Sequence, residues 1–327
     1  MKRRNTRIYA VKLPLLKPIP VKRQTLLTRE VLRIEQDNWD GRKAWAECSP
    51  LPGFHNESLA ECLAAAIEFF TLSAFMSQEL PVSLKTAVEI LDWQMELSVP
   101  SSKVFTGDFE NSALLTVPEL HDFDCTLQSL DQARVCKVKV GSEGLRTSRL
   151  FLEALLATRR DRELRVDCNQ ALATSSELEV RALLEGLPIA YVEEPFDNLE
   201  RLKAFARSFP LALDESLGLD TELDALAKAW VIKPNRFGFH KTLELFADAG
   251  PQIKILSNSF ESLETLQTYV WAYRNIVKNP QACGLGTAFY MADSAMDGGW
   301  DPKVYRSAWP VAPVADCGHR GELIWEN

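Results

Sequence analysis

Five apolar runs in this 327-residue chain each stop at a charged residue. Val135–Val140 carries Lys137 and Lys139. Leu164–Asp167, Ala190–Glu193 and Leu211–Asp214 end on carboxylates, and Val231–Lys233 ends on lysine. From Lys139 the charges at Asp167, Glu193, Asp214 and Lys233 follow at steps of 28, 26, 21 and 19 residues. Each step accommodates one strand, one helix and two short loops. The intervening segments, such as Thr147–Ala157 and Ser176–Glu185, have helical spacing. Repeated strand–helix units imply a parallel sheet with buried strands. Counting Lys254–Ser257, a first strand at Val104–Thr106 and a last at Ala282–Gly284, the strands number eight, which closes a β/α barrel. A doubly wound open sheet is the rival, but no strand is followed by a glycine-rich phosphate loop.

A barrel takes roughly 250 residues, so one small further domain fits. Thr6–Val11, Thr28–Glu35 and Lys43–Glu47 read as strands, with a basic, proline-rich loop at Lys17–Gln24 and a turn-rich loop at Ser49–Phe54. Ser58–Met76 and Val82–Gln94 read as helices. The expectation is an α+β capping domain over residues 1–100, completed by the tail 300–327, with the barrel over 101–299.

The formal net charge of −8 argues against a general nucleic-acid binder. Seven cysteines, an odd number without a CxxC pair, fit neither a zinc site nor a disulfide framework. They suit a reducing cytoplasm. Met1-Lys2-Arg3-Arg4 has the charge of a signal peptide, but Lys12, Lys17, Pro14, Pro18 and Pro20 break the apolar stretch that must follow. A cytoplasmic protein is expected. The four histidines fall outside the strand ends.

In a β/α barrel the carboxyl ends of the strands open on one mouth, where catalysis sits. The five charges therefore converge in the circular order Lys, Asp, Glu, Asp, Lys. Three carboxylates without histidine form a hard oxygen site suited to Mg²⁺, with Mn²⁺ as a substitute. Such an ion takes a substrate carboxylate and stabilises the enediolate left when the neighbouring C–H loses its proton. A lysine beside the cation and a second lysine has a lowered pKa and serves as base. Lys137 and Lys139 share a face of their strand, so Lys137 is expected to depress the pKa of Lys139. Each residue alone has a plainer reading: Asp214-Glu215-Ser216 as a helix cap, Glu193-Glu194-Pro195 as a helix start, Lys137 and Lys139 as a wet strand face. All five at barrel spacing are hard to obtain from solvation.

These motifs (Lys-Val-Lys-Val-Gly at 137–141, Asp-Cys-Asn at 167–169, Glu-Glu-Pro at 193–195, Asp-Glu-Ser at 214–216, Ile-Lys-Pro at 232–234) resemble the enolase superfamily, muconate-lactonizing subgroup. Trp45–Phe54 and Ser257–Ser262 add to the likeness. The resemblance implies a modified TIM barrel with an N-terminal α+β cap. It implies metal ligation by Asp167, Glu193 (not Glu194) and Asp214, with Lys139 as base and then acid, and Lys233 as the cation opposite. Lys137, Arg165, Asn169, Ser257 and Gly284 fall at positions lining the substrate site. The reaction implied is syn-dehydration of a hydroxycyclohexadiene carboxylate, a small-molecule substrate. The alternative on the same frame is racemisation or epimerisation of N-acylamino acids or dipeptides. Trp45 and Phe54 read as packing between cap and barrel. The sequence departs from the family's habit at Gly286, where relatives often carry Asp, at Leu172, which replaces an aromatic, and at the bulkier Asn235-Arg236-Phe237.

Overall fold

The computed structural model describes residues 5–21, 24–37, 41, 43–72, 79–96, 105–130, 133–141, 143–290, 306–311 and 321–326. Val104, Cys317 and Met1–Arg4 lie outside them.

The chain opens on a long hairpin, β1 (Asn5–Val21) and β2 (Gln24–Asp37), followed by β3 (Lys43–Cys48). All neighbours in this sheet are antiparallel. Inward residues Ile8, Leu32, Ile34, Ala44 and Ala46 are buried, as period-two alternation requires. Helix Leu59–Leu72 and helix Val82–Glu96 follow, the latter burying Leu84, Ala87, Ile90 and Leu91 along one stripe. The expected loop at Lys17–Gln24 is instead the far end of the hairpin: Pro20 pairs with Thr25 and Val21 with Gln24. The prolines are accommodated by a break in register between Pro14 and Ile19, because proline cannot donate to a regular ladder.

β4 (Phe105–Glu110) precedes seven parallel strands: β5 (Ala113–Thr116), β6 (Val135–Lys139), β7 (Glu163–Asp167), β8 (Ile189–Glu193), β9 (Leu211–Leu213), β10 (Ala229–Ile232) and β11 (Ile253–Leu256). They hydrogen-bond in that order. Cys283 and Gly284 bridge Asn111 and Ser257, joining the two edges into a ring. Helices cover the outside of each crossover, the longest being Leu145–Thr158 and Leu263–Ile276.

The first barrel strand is thus Ala113–Thr116, not a run at Val104–Thr106. Phe105–Glu110 pairs antiparallel with β12 (Arg306–Val311), off the ring. The tail is likewise divided. β12 returns to β4, and only β13 (Glu322–Glu326) joins the cap sheet, against Arg7–Ala10 of β1. Among the described residues no helix is long and apolar enough to cross a membrane.

Candidate active site at the barrel mouth

Parallel register places the charges. Thr116 pairs with Lys139, Lys139 with Asp167, Asp167 with Glu193, and Glu193 with Ala212. Lys139, Asp167 and Glu193 therefore occupy one level of the ring. Asp214 lies two residues beyond Ala212, and Lys233 two beyond Val231, so alternation turns both inward as well. Tyr191, Ala212, Ala229, Val231 and Ile255 form a separate buried cluster.

The three carboxylates are almost dry: Asp167 is 2% exposed, Glu193 0% and Asp214 1%. Such charges need partners. Lys137 Nζ lies 3.0 Å from Asp167 Oδ2 and 2.8 Å from Glu193 Oε1. Lys233 Nζ pairs with Asp214 Oδ2. Burial lowers the affinity of Lys137 for its proton, but Asp167 and Glu193 outweigh it and its pKa stands well above the usual lysine value. Burial likewise opposes the charge on Lys233, and Asp214 and Glu215 reverse the balance. Burial, with Asp167 beside it, pushes Glu193 up to about 8. Asp167 moves the other way: burial raises it, but Lys137, Lys139 and Lys233 together lower it. Asp167 and Glu193 share the Lys137 ammonium. The direction that stands is the upward one at Glu193: burial and the neighbouring carboxylates make it hold its proton more tightly, an excess of acidic groups that a cation would relieve.

That excess, and two oxygens, bear on metal binding. Glu193 Oε2 and Asp214 Oδ1 are buried without a hydrogen-bond partner. Among the described residues the carboxylates are not gathered at coordinating distance around one point, since each turns an oxygen to a lysine. The donor set nevertheless fits a hard divalent cation: three carboxylates on adjacent strand ends with two oxygens still unsatisfied.

Lys137 takes a different part from the one expected. Its ammonium sits between two anions, holding them, and does not stand as a bare cation beside Lys139. Arg165 also has structural partners. It lies one level lower, paired with Lys137 and Tyr191. Its Nε donates to Glu163 Oε1 at 2.8 Å and its Nη1 to the carbonyl of Ala282 at 2.7 Å, with the guanidinium over the Tyr191 ring. It ties the ring closure from inside. Asn169 sits at the mouth, exposed, in a left-handed turn (φ 41°) after β7. Ser257 and Gly284 are brought together, Ser257 Oγ donating to Gly284 O at 3.2 Å, where the ring closes at its upper edge. Gly286 has no room for a side chain as the backbone stands: a Cβ there would lie 2.6 Å from Leu114 Cβ.

Several supports were not foreseen. Glu194, pushed up to about 7 mainly by burial, accepts from the amides of Asp214 (2.9 Å) and Ser216 (2.7 Å) and from Ser216 Oγ. It shapes the turn carrying Asp214. Arg236 donates to the carbonyls of Asp214, Glu215 and Leu217 in the same turn. Asn235 reaches the cap, Nδ2 donating to Ser49 O at 2.7 Å. His55 Nε2 lies 2.9 Å from Asn235 O, while its Nδ1 accepts from the Leu51 amide at 2.8 Å. The bulk of 235–236 is thus bracing. Phe54 is more than packing: its ring centre lies 4.9 Å from Lys233 Nζ. Trp45 remains cap packing, beneath the Arg33 guanidinium.

A family model described as "Enolase C-terminal domain-like" matches residues 126–232, and one described as "MenC, N-terminal domain" matches residues 3–86. Among curated proteins, the o-succinylbenzoate synthase of Pectobacterium atrosepticum is 28% identical over 248 residues, 72% of this chain and 74% of the relative. That of Enterobacter sp. is 27% identical over 277 residues, covering 79% and 83%. Among solved structures, o-succinylbenzoate synthase from Thermosynechococcus elongatus BP-1, complexed with Mg in its active site, matches with TM-score 0.67 at 22% identity, over 88% of this chain and 94% of that one. The L-Ala-D/L-Glu epimerase from Bacillus subtilis matches with TM-score 0.73 at 18% identity over 100% of both chains. At these identities the two structures speak for the fold. The matched models take in most of the cap and the strand ends at Lys139, Asp167, Glu193 and Asp214, with Lys233 one residue beyond, and with them the chain belongs to the enolase superfamily.

Proposed function

We propose that this protein is an o-succinylbenzoate synthase: a lyase that removes water from 2-succinyl-6-hydroxy-2,4-cyclohexadiene-1-carboxylate in the cytoplasm, on the path to menaquinone. The observation carrying the reaction class is the pair of inward lysines, Lys139 and Lys233, on either side of three buried carboxylates. The substrate rests on the curated relatives of that name, which align along most of both chains.

Asp167, Glu193 and Asp214 would hold Mg²⁺, or Mn²⁺ in its place. When bound, that ion supplies positive charge to the substrate carboxylate, which makes the adjacent C–H more acidic. Lys139, as the free amine, takes that proton. It then gives a proton to the departing hydroxyl on the same face, so C–H and C–O bonds break, the ring becomes aromatic and one water leaves. Lys233 stays protonated, its ammonium held by Asp214 and facing the negative charge that develops. Lys137 keeps Asp167 and Glu193 in place.

The epimerase likeness supplies the competing outcome. Racemisation needs both lysines to exchange protons with the α-carbon, whereas syn elimination needs one. Wild-type enzyme with Mg²⁺ in deuterated water should convert the cyclohexadiene carboxylate to o-succinylbenzoate. Rapid α-deuteration of N-succinylamino acids with inversion, and no o-succinylbenzoate, overturns the proposal. Lys139→Ala should lose dehydration outright. Lys233→Arg keeps the cation but cannot deprotonate near neutral pH, so it should retain measurable dehydration and show no racemisation.

A further inference from the structure

Arg29 heads the fully buried side chains by size, at 1% exposure, although Leu27, Thr28 and Glu30 around it are exposed. A guanidinium is tolerated in such a place only if its donors are met. Nη1 donates to Pro50 O at 2.7 Å and to Glu30 O at 3.3 Å, Nη2 donates to Ser49 O, and Nε donates to Phe260 O at 3.3 Å. Glu47 and Glu261 lie near enough to offset its charge. The acceptors belong to separate parts of the molecule. Ser49 and Pro50 open the cap loop, while Phe260 stands in the loop after β11. Phe260 is held at φ 63°, a conformation uncommon outside glycine that persists where surroundings over-determine it.

Both loops lead to the mouth. Phe54 lies over Lys233. Phe260 meets Tyr290 edge-on, ring centres 5.9 Å apart. These three rings pack with Ile19, Val21 and Leu51 from the hairpin end and cap loop.

We propose that Arg29 is a positioning residue for substrate binding: its guanidinium fork ties the cap loop Ser49–Phe54 to Phe260 of the barrel and so fixes the Phe54 ring over Lys233. The inference rests on reading the barrel mouth as a substrate site. Lysine cannot replace the fork, because a single ammonium on a flexible stem cannot span acceptors on both loops. Arg29 itself touches neither Lys139 nor Lys233; loosening the clasp frees the Phe54 ring while the barrel strands still hold both lysines, so binding weakens more than proton transfer.

The test compares wild type, Arg29→Lys and Arg29→Met, each with Mg²⁺. It uses steady-state kinetics on the cyclohexadiene carboxylate and hydrogen–deuterium exchange read by mass spectrometry. Arg29→Met should raise KM about tenfold, equal to about 1.4 kcal/mol, with little change in kcat. Peptides covering 49–57 and 257–262 should exchange faster while β6, β7 and β8 keep wild-type protection. Arg29→Lys should fall between, and decides the matter if Arg29→Met does not fold. Unchanged KM overturns the proposal. So does a parallel loss in kcat and KM with faster exchange throughout, which marks a purely structural arginine. If wild type does not turn over the substrate, the functional reading fails, and exchange still decides the tether: faster exchange confined to the two loops upholds it, and unchanged loops overturn it.

Discussion

Lys137 carries a positive charge into a nearly dry barrel, and two carboxylates make that tolerable. Removing one partner of a buried ion pair costs about 3–5 kcal/mol, because the other charge is left without compensation. Lys137→Met should therefore lower the melting temperature of the chelator-treated protein by several degrees. Mg²⁺ should restore a larger part of the loss in the variant than it adds to wild type, since ion binding to the folded state alone stabilises it. Equal melting temperatures for wild type and variant, with and without chelator, would refute this role. Glu261 gives a second residue-level expectation. Burial is the main cause that pushes its carboxyl up to about 7. A raised folded-state pKa means stability present below about 4.5 and lost as pH rises through about 7, at roughly 1.4 kcal/mol per unit. Glu261→Gln removes this dependence, so the stability of the variant relative to wild type should grow from pH 5 to pH 8 in denaturant titrations. A constant difference would show that the group does not titrate there. At this scale the sequence was legible where a charge ended an apolar run, since five such residues at barrel spacing are hard to obtain from solvation although any one of them is not. Arg29 escaped, and Arg165 was named for the substrate site without its structural partners, because one arginine in a strand reads equally as a solvated face. Only the fold reveals that their donors reach carbonyls 20 to 231 residues away.

The elements themselves differ in how well they announce themselves. β6 to β11 are short, apolar and bounded by charges or turns, so periodicity and length identify them. β5 is four residues, Ala-Leu-Leu-Thr, a run that suits a helix as well, and its place in the ring is set by pairing with β6. The hairpin end was misread because prolines and lysines have loop chemistry. It is a strand because Ile19 and Val21 have an apolar cluster to join, and tertiary packing overrides propensity. The turn after β9 shows the reverse, a local element shaped by one distant side chain. Glu194→Leu would strip the acceptors from two buried amides, costing about 1–3 kcal/mol for each unsatisfied group, and would let the Asp214 turn relax. Calorimetric titration should then show Mg²⁺ binding at least tenfold weaker than wild type. Glu194→Gln, whose amide oxygen still accepts from both N–H groups, should stay close to wild type. Weak binding in Glu194→Gln but not Glu194→Leu would contradict the hydrogen-bonding account.

Across the whole molecule, a barrel with a cap was readable because it needs only the repeat and the charges. That the tail completes the cap was expected, but which part of it does so was not, because pairing between Arg7 and Glu326, at opposite ends of the chain, leaves no local signal. β13 lies antiparallel to Arg7–Ala10, and Trp325 meets Phe70 at 6.4 Å between ring centres. Without β13, β1 becomes an edge strand, with unpaired N–H and C=O groups that can template association. Deleting residues 321–327 should therefore do two things. It should lower the melting temperature by a few degrees, on the scale of about 2–4 °C per kcal/mol for chains of roughly 150–250 residues. It should also cause concentration-dependent self-association in gel filtration. Gly321→Val tests the same docking in the full-length chain. Gly321 has φ 67°, and a Cβ there would lie 2.3 Å from the carbonyl oxygen of Ala10, so the strand cannot seat as it does. It should shift melting in the same direction as the deletion. Lys139 and Lys233, the lysines proposed to act on substrate, lie on the barrel, away from this edge, so kcat should fall far less than after any change at Asp167, Glu193 or Asp214. If both variants melt and elute like wild type, the pairing of the two chain ends contributes nothing to the cap; if kcat collapses with them, cap and barrel are more tightly coupled than the contacts through Arg29 and Asn235 imply.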